Sequence, residues 1–408
     1  MKTKISRTSL LIILCWLVYT CSYIGKLSYN ANITPIGLAL GVSKTELGTV
    51  STFFFFAYGI GQVVNGFLCK KYNAKYVIFA CLLVSSAITA VFPFIPDFSI
   101  AKYLWLVNGI AMSFLWTLLI RLLSEQLPKK DIPRAVLAMG TTVATGTFIV
   151  YGMSSLMVAV ATYHVTFCIA AAIMAASAIV WICSFNRLTS GAKDSASDVT
   201  EEITEAPSGG MATRSVMIFI AVLAFFAVGN NFVKDGLTAW TPQILDETYN
   251  TPSWLSILLT LLLPTMAIGG AGVALRLQKR TNSFIGSCVI LFAASAALIG
   301  VVLGLFSFPV LPLTVVCFAI VSCLMAGVNN VITSMVPLHM KDRISSGKLA
   351  GVLNGFCYLG STVSTYSLGA IADSALGWYG VFYVLLAVTA LAIATGSLYL
   401  IFNKGKKI

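Results

Sequence analysis

The run VTFCIAAAIMAASAIVWICSF, residues 165–185, contains no Asp, Glu, Lys or Arg. A helix needs about 20 mostly apolar residues to cross the hydrocarbon core of a bilayer. This run is long enough, and it is not alone. Counting on the same basis places spans near residues 8–34, 44–69, 75–95, 99–123, 133–160, 163–185, 214–240, 252–275, 283–306, 310–338, 347–371 and 378–402. Only 10% of the 408 residues are charged and 58% are hydrophobic, whereas about a quarter of a soluble chain is charged. A water-soluble fold of this length lacks the polar surface it needs. The expectation is an all-α integral membrane protein.

The formal net charge of +12 raises the possibility of nucleic acid, but its distribution argues against it. Basic residues sit in short loops on alternate sides of successive spans, not on one face interleaved with aromatics. Lys and Arg accumulate in cytoplasmic loops. Lys2, Lys4 and Arg7 precede the first span; Lys70, Lys71 and Lys75 follow the second; Lys129, Lys130 and Arg134 follow the fourth. Arg276, Lys279 and Arg280 follow the eighth, Lys341, Arg343 and Lys348 the tenth, and Lys404, Lys406 and Lys407 close the chain. Lys44 and Lys102 stand on the other side. Both termini are therefore expected in the cytoplasm, in a multi-pass plasma membrane protein. The apolar start LLIILCWLVYTC follows a basic stretch but lacks a clear small-residue cleavage site, so it reads as a retained first span, not a signal peptide. Nine of the ten cysteines lie inside apolar runs, with no CxxC pair, and read as small packing residues.

The one long polar stretch, residues 186–213, is rich in Ser, Thr, Gly and acidic residues and reads as a flexible cytoplasmic linker. It divides the chain into bundles at 1–185 and 214–408, six spans each. The halves echo one another. Arg7 precedes Lys26 by nearly the spacing at which Arg214 precedes Lys234, and Gly66 with its basic loop returns as Gly272 with its own. Parallel repeats with a ligand site between them near the midplane mark one class of secondary transporter.

An ionised side chain inside a span costs at least roughly 2.5–3.5 kcal/mol, so such residues are usually functional. Lys26 and Lys234 occupy matching depths in the first helix of each half. A single lysine reads equally well as one snorkelling to a polar surface. A matched pair reads as two cations facing one cavity, which repel unless an anion joins them. Tyr19, Tyr23 and Lys26 fall at i, i+4 and i+7, on one helical face. Asp235 either pairs with Lys234 or reaches another helix. Asn230, Asn231, Asn329, Asn330 and Asn354 line the cavity or bridge helices. Gly351, Gly355 and Gly360 permit close helix approach, and Asp373 stands at a helix end that it is expected to cap. His164 and His339 lie at helix ends and do not suggest metal ligation.

Four segments resemble the organophosphate:phosphate antiporters of the major facilitator superfamily. They are YTCSYIGKLSYN at 19–30, ELGTVSTFFFFAYGIGQ at 46–62, KDGLTAWTP at 234–242 and AGVLNGFCYLGSTVSTYSLGAIADSALGW at 350–378. The resemblance implies twelve transmembrane helices in two pseudo-symmetric six-helix bundles, the major facilitator fold. It also implies exchange of a phosphorylated metabolite for inorganic phosphate. The family's Tyr-x-Gly-Arg falls on Tyr23, Ile24, Gly25 and Lys26; its Arg-Asp-Gly and Trp-x-Pro fall on Lys234, Asp235, Gly236, Trp240 and Pro242. Both substrate-binding arginines are thus lysines here. Arginine grips phosphate with a planar fork, whereas lysine offers a hydrated point charge with rotatable donors.

The resemblance carries cavity tyrosines onto Tyr19, Tyr23, Tyr58 and Tyr358, a helix-two lysine onto Gln62 and a helix-five histidine onto Ala144. Together with Asn231 and Asn354 these complete the expected substrate site. The loop GFLCKKYNAKY at 66–76 resembles the Gly-x-x-x-Asp-Arg-x-Gly-Arg-Lys gating signature, with Lys70 in place of the aspartate and Asn73 in place of the second glycine. Gly66, Lys70 and Lys71 read either as gating elements or as a plain positive loop.

There is no GK[ST] nucleotide loop, no embedded carboxylate pair for a proton relay and no catalytic triad. The expectation is a carrier, not an enzyme, with no cofactor and no metal, acting as a monomer among membrane lipids on a small anionic solute. Sugar acids and further carboxylates are the second class of cargo that two lysines would accept. Two rival functions also fit the residues. One is a membrane sensor of a phosphorylated metabolite, since the resembled family includes a sugar-phosphate receptor; the second is a lipid-headgroup flippase.

Overall fold

The computed structural model describes residues 6–189, 214–308, 310–340, 344 and 346–403. Every regular element among them is helical. The first half supplies α1 (Arg7–Ala31), α2 (Lys44–Lys71), α3 (Ala74–Phe94), α4 (Phe98–Gln126), α5 (Arg134–Val160) and α6 (Tyr163–Thr189). The second supplies α7 (Ser215–Tyr249), α8 (Ser253–Thr281), α9 (Phe284–Leu305), α10 (Leu311–His339), α11 (Ser346–Ala372) and α12 (Gly377–Phe402). The twelve expected spans are all present as helices. Helix α6 runs to Thr189, past the expected start of the linker, and residues 190–213 lie outside the described residues. So do Lys2, Lys4, Lys341, Arg343, Lys404, Lys406 and Lys407.

Eleven of the helices are long and apolar enough to cross a membrane by composition alone; α11 is the exception. Its polar residues satisfy themselves. Thr362 Oγ1 donates to Tyr358 O at 2.8 Å, Ser364 Oγ to Ser361 O at 3.0 Å and Thr365 Oγ1 to Ser361 O at 3.1 Å. Hydroxyls bonded to the preceding turn leave no unmet donor for the bilayer to reject. Helix α11 is also covered by α2 on one side and α7 on the other.

Within each bundle helices that are not sequence neighbours pack most extensively, α2 with α4, α7 with α11, α3 with α6 and α1 with α5, and the bundles meet through α2 with α11 and α5 with α8. Small residues set the close approaches, as they do where lipid supplies no hydrophobic drive. A Cβ on Gly48 of α2 would lie 2.2 Å from the Thr365 carbonyl oxygen of α11. Gly355 and Gly360 pack as expected, against Val63 and against Val228 O. Gly351 does not: among the described residues no atom lies within 4 Å of its Cβ direction. Helix α8 breaks at Leu261 and again near Ile268, with Pro264 between. Such irregular backbone persists at membrane depth only inside protein or beside a cavity.

The bundles are clasped at the end away from the chain's N-terminus. There Ser43 and Glu46 form a reciprocal capping box at the start of α2, while Lys44 N and Thr45 N donate to the Asp373 carboxylate at 3.1 and 2.7 Å. Asp373 follows α11, yet it caps α2 of the other bundle and not its own helix. The helix dipole explains the choice, since the positive end of α2 lies opposite the negative end of α11. Lys44 Nζ also pairs with Glu247 at 3.2 Å, and Trp378 Nε1 donates to the same carboxylate at 2.8 Å. Ser155 Oγ of α5 donates to Trp254 O at 2.7 Å, and Thr52 Oγ1 of α2 to Thr362 O at 3.1 Å.

Losing a capping side chain costs about 0.5–2 kcal/mol, and about 1 kcal/mol changes a two-state ratio about fivefold. Asp373→Ala is therefore expected to lengthen and broaden the distance distribution between spin labels at the exposed positions Leu38 and Phe308, read by pulsed electron resonance. An unchanged distribution would remove this contact from the closure.

Candidate functional site

Between the bundles, at mid-depth, lies a cavity of about 400 Å³. This is within the roughly 300–1,000 Å³ usual for small-molecule sites. Lys26 of α1 and Lys234 of α7 both line it, so each bundle contributes one ammonium group. Tyr23, Asn231, Asp235, Asn354 and Tyr358 line it as well. Ala144, the position matching a family histidine, stands in its wall on α5.

The two cations are housed differently. Lys26 is only 7% exposed, and among the described residues no carboxylate lies within 4.0 Å of its amine. Aromatic faces surround it instead. Its Nζ lies 3.9 Å from the Tyr58 ring centroid, 4.9 Å from Tyr23, 5.5 Å from Tyr358 and 5.8 Å from Phe54. A desolvated cation–π contact is worth about 0.5–2 kcal/mol. Several together match the roughly 2.5–3.5 kcal/mol cost of the charge at that depth. Glycines allow the rings in. A Cβ on Gly59 would lie 2.8 Å from Tyr358 Cβ, and one on Gly146 2.6 Å from Tyr23 Cβ.

Lys234 takes the conventional solution, an ion pair with Asp235 Oδ1 at 3.3 Å. Adjacent helix positions point about 100° apart, but the long lysine stem folds back. Asp235 also reaches another helix: its Oδ2 accepts from Ser361 Oγ of α11 at 2.5 Å and from Asn231 Nδ2 at 2.9 Å. Both expected roles of Asp235 thus hold at once. The picture of two bare cations needs correcting, because one carboxylate against two ammonium groups leaves a single net positive charge.

Three expected site residues stand behind the wall, not in it. Tyr19 packs edge-on against Tyr23 and at a tilt against Trp116, with centroids 5.3 and 4.9 Å apart. Tyr58 supports Lys26 from beneath, and Gln62 Nε2 donates to Tyr58 OH at 3.1 Å and to Ser113 O at 3.2 Å. Tyr19 lies on the face of Lys26 but two turns nearer the start of α1, where Tyr23 and Trp116 cover it. Asn329 lines the cavity while Asn230 is fully buried and donates to Asn231 Oδ1 at 2.9 Å.

Sequence reasoning missed Asn30, Thr147, Tyr151 and Thr238, which also line the cavity. The signal was present. Asn30 and Thr238 lie one turn beyond Lys26 and Lys234, and Gly140, Ala144, Thr147 and Tyr151 make one stripe along α5. At the basic end Gly66, Lys70 and Lys71 are exposed. Arg121 of α4 braces that loop: it donates to Cys69 O and, at 3.0 Å, to Tyr72 O, and it pairs with Glu125 at 3.2 Å.

Comparison with known proteins agrees with this architecture. Residues 15–365 match the family described as the Major Facilitator Superfamily. The "Membrane sensor protein UhpC" of Escherichia coli (strain K12) is 23% identical over 398 residues, covering 93% of this chain and 89% of the relative. The "Probable hexose phosphate transport protein" of Chlamydia pneumoniae is 21% identical over 410 residues, with 92% and 87% covered. Among solved structures, a bacterial homolog of the human lysosomal transporter Spinster, inward-facing and unoccupied, superposes with a TM-score of 0.76 at 13% identity. That match covers 98% of this chain and 97% of the homolog.

The different housing of the two lysines has a measurable consequence. Lys234→Met strands the Asp235 carboxylate. Breaking a fully buried pair costs about 3–5 kcal/mol, and the two remaining hydrogen bonds and partial exposure reduce this to about 1–3 kcal/mol. Lys26→Met strands no charge and leaves a thioether among rings, a favourable contact. Thermal unfolding in detergent without ligand is expected to show a lower Tm for Lys234→Met than for Lys26→Met, with recovery in the double variant Lys234→Met/Asp235→Asn. Equal losses for the two lysines would contradict it.

Proposed function

The chain belongs to the Major Facilitator Superfamily, and from that membership we propose that it carries a phosphorylated metabolite across the membrane in exchange for inorganic phosphate, by alternating access. The coarser statement is secure from the family: this is a multi-pass membrane transporter and not an enzyme. The finer one rests on a single observation, that the first helix of each bundle places a lysine in one shared cavity. An anion held by both amines ties the bundles to a common guest. The tyrosines and asparagines of the wall supply hydroxyls and amides for the rest of a small polar solute. The name of the Chlamydia pneumoniae relative supports the phosphate-ester cargo.

Exchange follows from charge. Closing an empty cavity around a net positive site desolvates that charge, whereas an occupied site closes with the charge answered. The Lys and Arg distribution supports a plasma membrane orientation with both termini cytoplasmic. In that orientation the clasp formed by Asp373, Lys44 and Glu247 lies on the outer side.

A second reading, a sensor of the same class of solute, is favoured by the name of the Escherichia coli relative. Carboxylates stand as the competing cargo because both cations are lysines, which grip phosphate geometry less specifically than arginine.

Proteoliposomes separate these readings. Vesicles loaded with phosphate are expected to take up labelled hexose phosphate, and Lys26→Ala and Lys234→Ala each to slow uptake. The loss of one charge-assisted hydrogen bond, about 1.5–3 kcal/mol, corresponds to about 10–100-fold. Uptake by Lys26→Ala at the parent rate would refute the bridging-anion mechanism. Binding without flux would favour the sensor, and competition by sugar acids but not by phosphate esters would favour carboxylates.

A further inference from the structure

We infer that Asp235 sets the valence of the guest: with its carboxylate in place, the site takes a singly charged anion in preference to a doubly charged one. This deepens the anion-carrier reading above and rests on it.

The charged side chains lining the cavity are Lys26, Lys234 and Asp235. Two ammonium groups and one carboxylate leave one positive charge for a guest to answer. A monoanion brings the total to zero. A dianion leaves an excess negative charge beside a carboxylate, in a region where water screens poorly and like charges are costly. Asp235 cannot swing aside without loss. Its Oδ1 faces Lys234 Nζ at 3.3 Å, and its Oδ2 accepts from Ser361 Oγ at 2.5 Å and Asn231 Nδ2 at 2.9 Å. These donors come from its own helix and from α11, so the acid is fixed from two elements. Three converging donors suit an ionised carboxylate.

Among the described residues no lining side chain offers a compensating third cation. The other titratable groups facing this part of the cavity are Tyr23, Tyr151 and Tyr358, with Cys357 behind them donating to Asn329 Oδ1 at 3.6 Å. Tyrosine hydroxyls and a buried thiol are neutral near pH 7. Among the described residues the guest's charge is therefore matched against Lys26, Lys234 and Asp235. For a phosphate ester, whose second ionisation falls near pH 6, the site selects the singly protonated form.

The test uses two tetrahedral probes on the purified full-length protein. A hexose sulfate ester holds one negative charge at every working pH; the matching phosphate ester gains a second as pH rises. Taking the ratio of phosphate to sulfate affinity cancels changes in the protein common to both. In the parent protein the ratio is expected to fall between about pH 5.5 and pH 8, by about tenfold for a unit-charge mismatch in a partly desolvated site. In Asp235→Asn the ratio is expected to rise over the same range. A flat or rising ratio in the parent protein overturns the inference, and that measurement stands even if Asp235→Asn does not fold. A ratio that falls alike in both proteins also overturns it, since the acid then has no part in the choice. Binding of neither ester, with sugar acids bound instead, refutes the phosphate-ester cargo, a separate failure.

Discussion

Placing an ammonium group where hydrocarbon surrounds the fold is the constraint from which the rest of this structure follows. The penalty, at least roughly 2.5–3.5 kcal/mol per charge, is met in two unlike ways. Lys234 has a carboxylate beside it. Lys26 has rings, three from its own bundle and Tyr358 from the other. The second solution demands helix proximity, since Tyr58 of α2 and Tyr358 of α11 must both reach the same amine. Gly59 makes that approach possible, because any side chain there would collide with Tyr358. Charge placement and small-residue packing are thus two aspects of one requirement.

The cage also ties the site to the relative position of the bundles. Tyr358 belongs to α11, and α2 contacts α11 from Lys44 opposite Gly369 to Val63 opposite Gly355. Any rocking of one bundle against the other changes the number of rings facing Lys26. The same motion must release Asp373 from the amino end of α2 and separate Lys44 from Glu247. An ion pair and a capped helix end are suited to this task. Each is worth on the order of 1 kcal/mol when partly exposed, enough to bias a conformation and too little to trap it.

Much of this is legible in the sequence, and the reason is periodicity. Apolar length reveals a span, basic residues reveal its sidedness, and a charge inside a span stands out against both. Lys26 and Lys234 emerge that way, and α11 shows as a long, mostly apolar run even though its Ser and Thr content keeps it below a strictly apolar criterion. What escapes is contact between helices, which no period within one helix encodes. Phe54 reads as one more aromatic in FFFF, yet its ring faces Lys26. Ser361 sits unremarked in a Ser- and Thr-rich run, yet it holds Asp235 across to α7. Along the chain the helix end nearest Asp373 is that of α11, but the one it caps in space belongs to the other bundle. Helical face puts Tyr19 in the cavity and the family resemblance puts Gln62 there, but contacts to Trp116 and to Ser113 hold them behind its wall.

The account stands on two amines from opposite bundles sharing one anionic guest. Solid-state NMR of the protein in lipid, with a phosphate ester bound and lysine side chains isotopically labelled, measures this through dipolar couplings between phosphorus and Nζ. The expected result is two coupled lysines within about 4–6 Å of the phosphorus, one signal vanishing in Lys26→Met and the other in Lys234→Met. Coupling to one of them alone, or only to lysines of the basic loops, would contradict it.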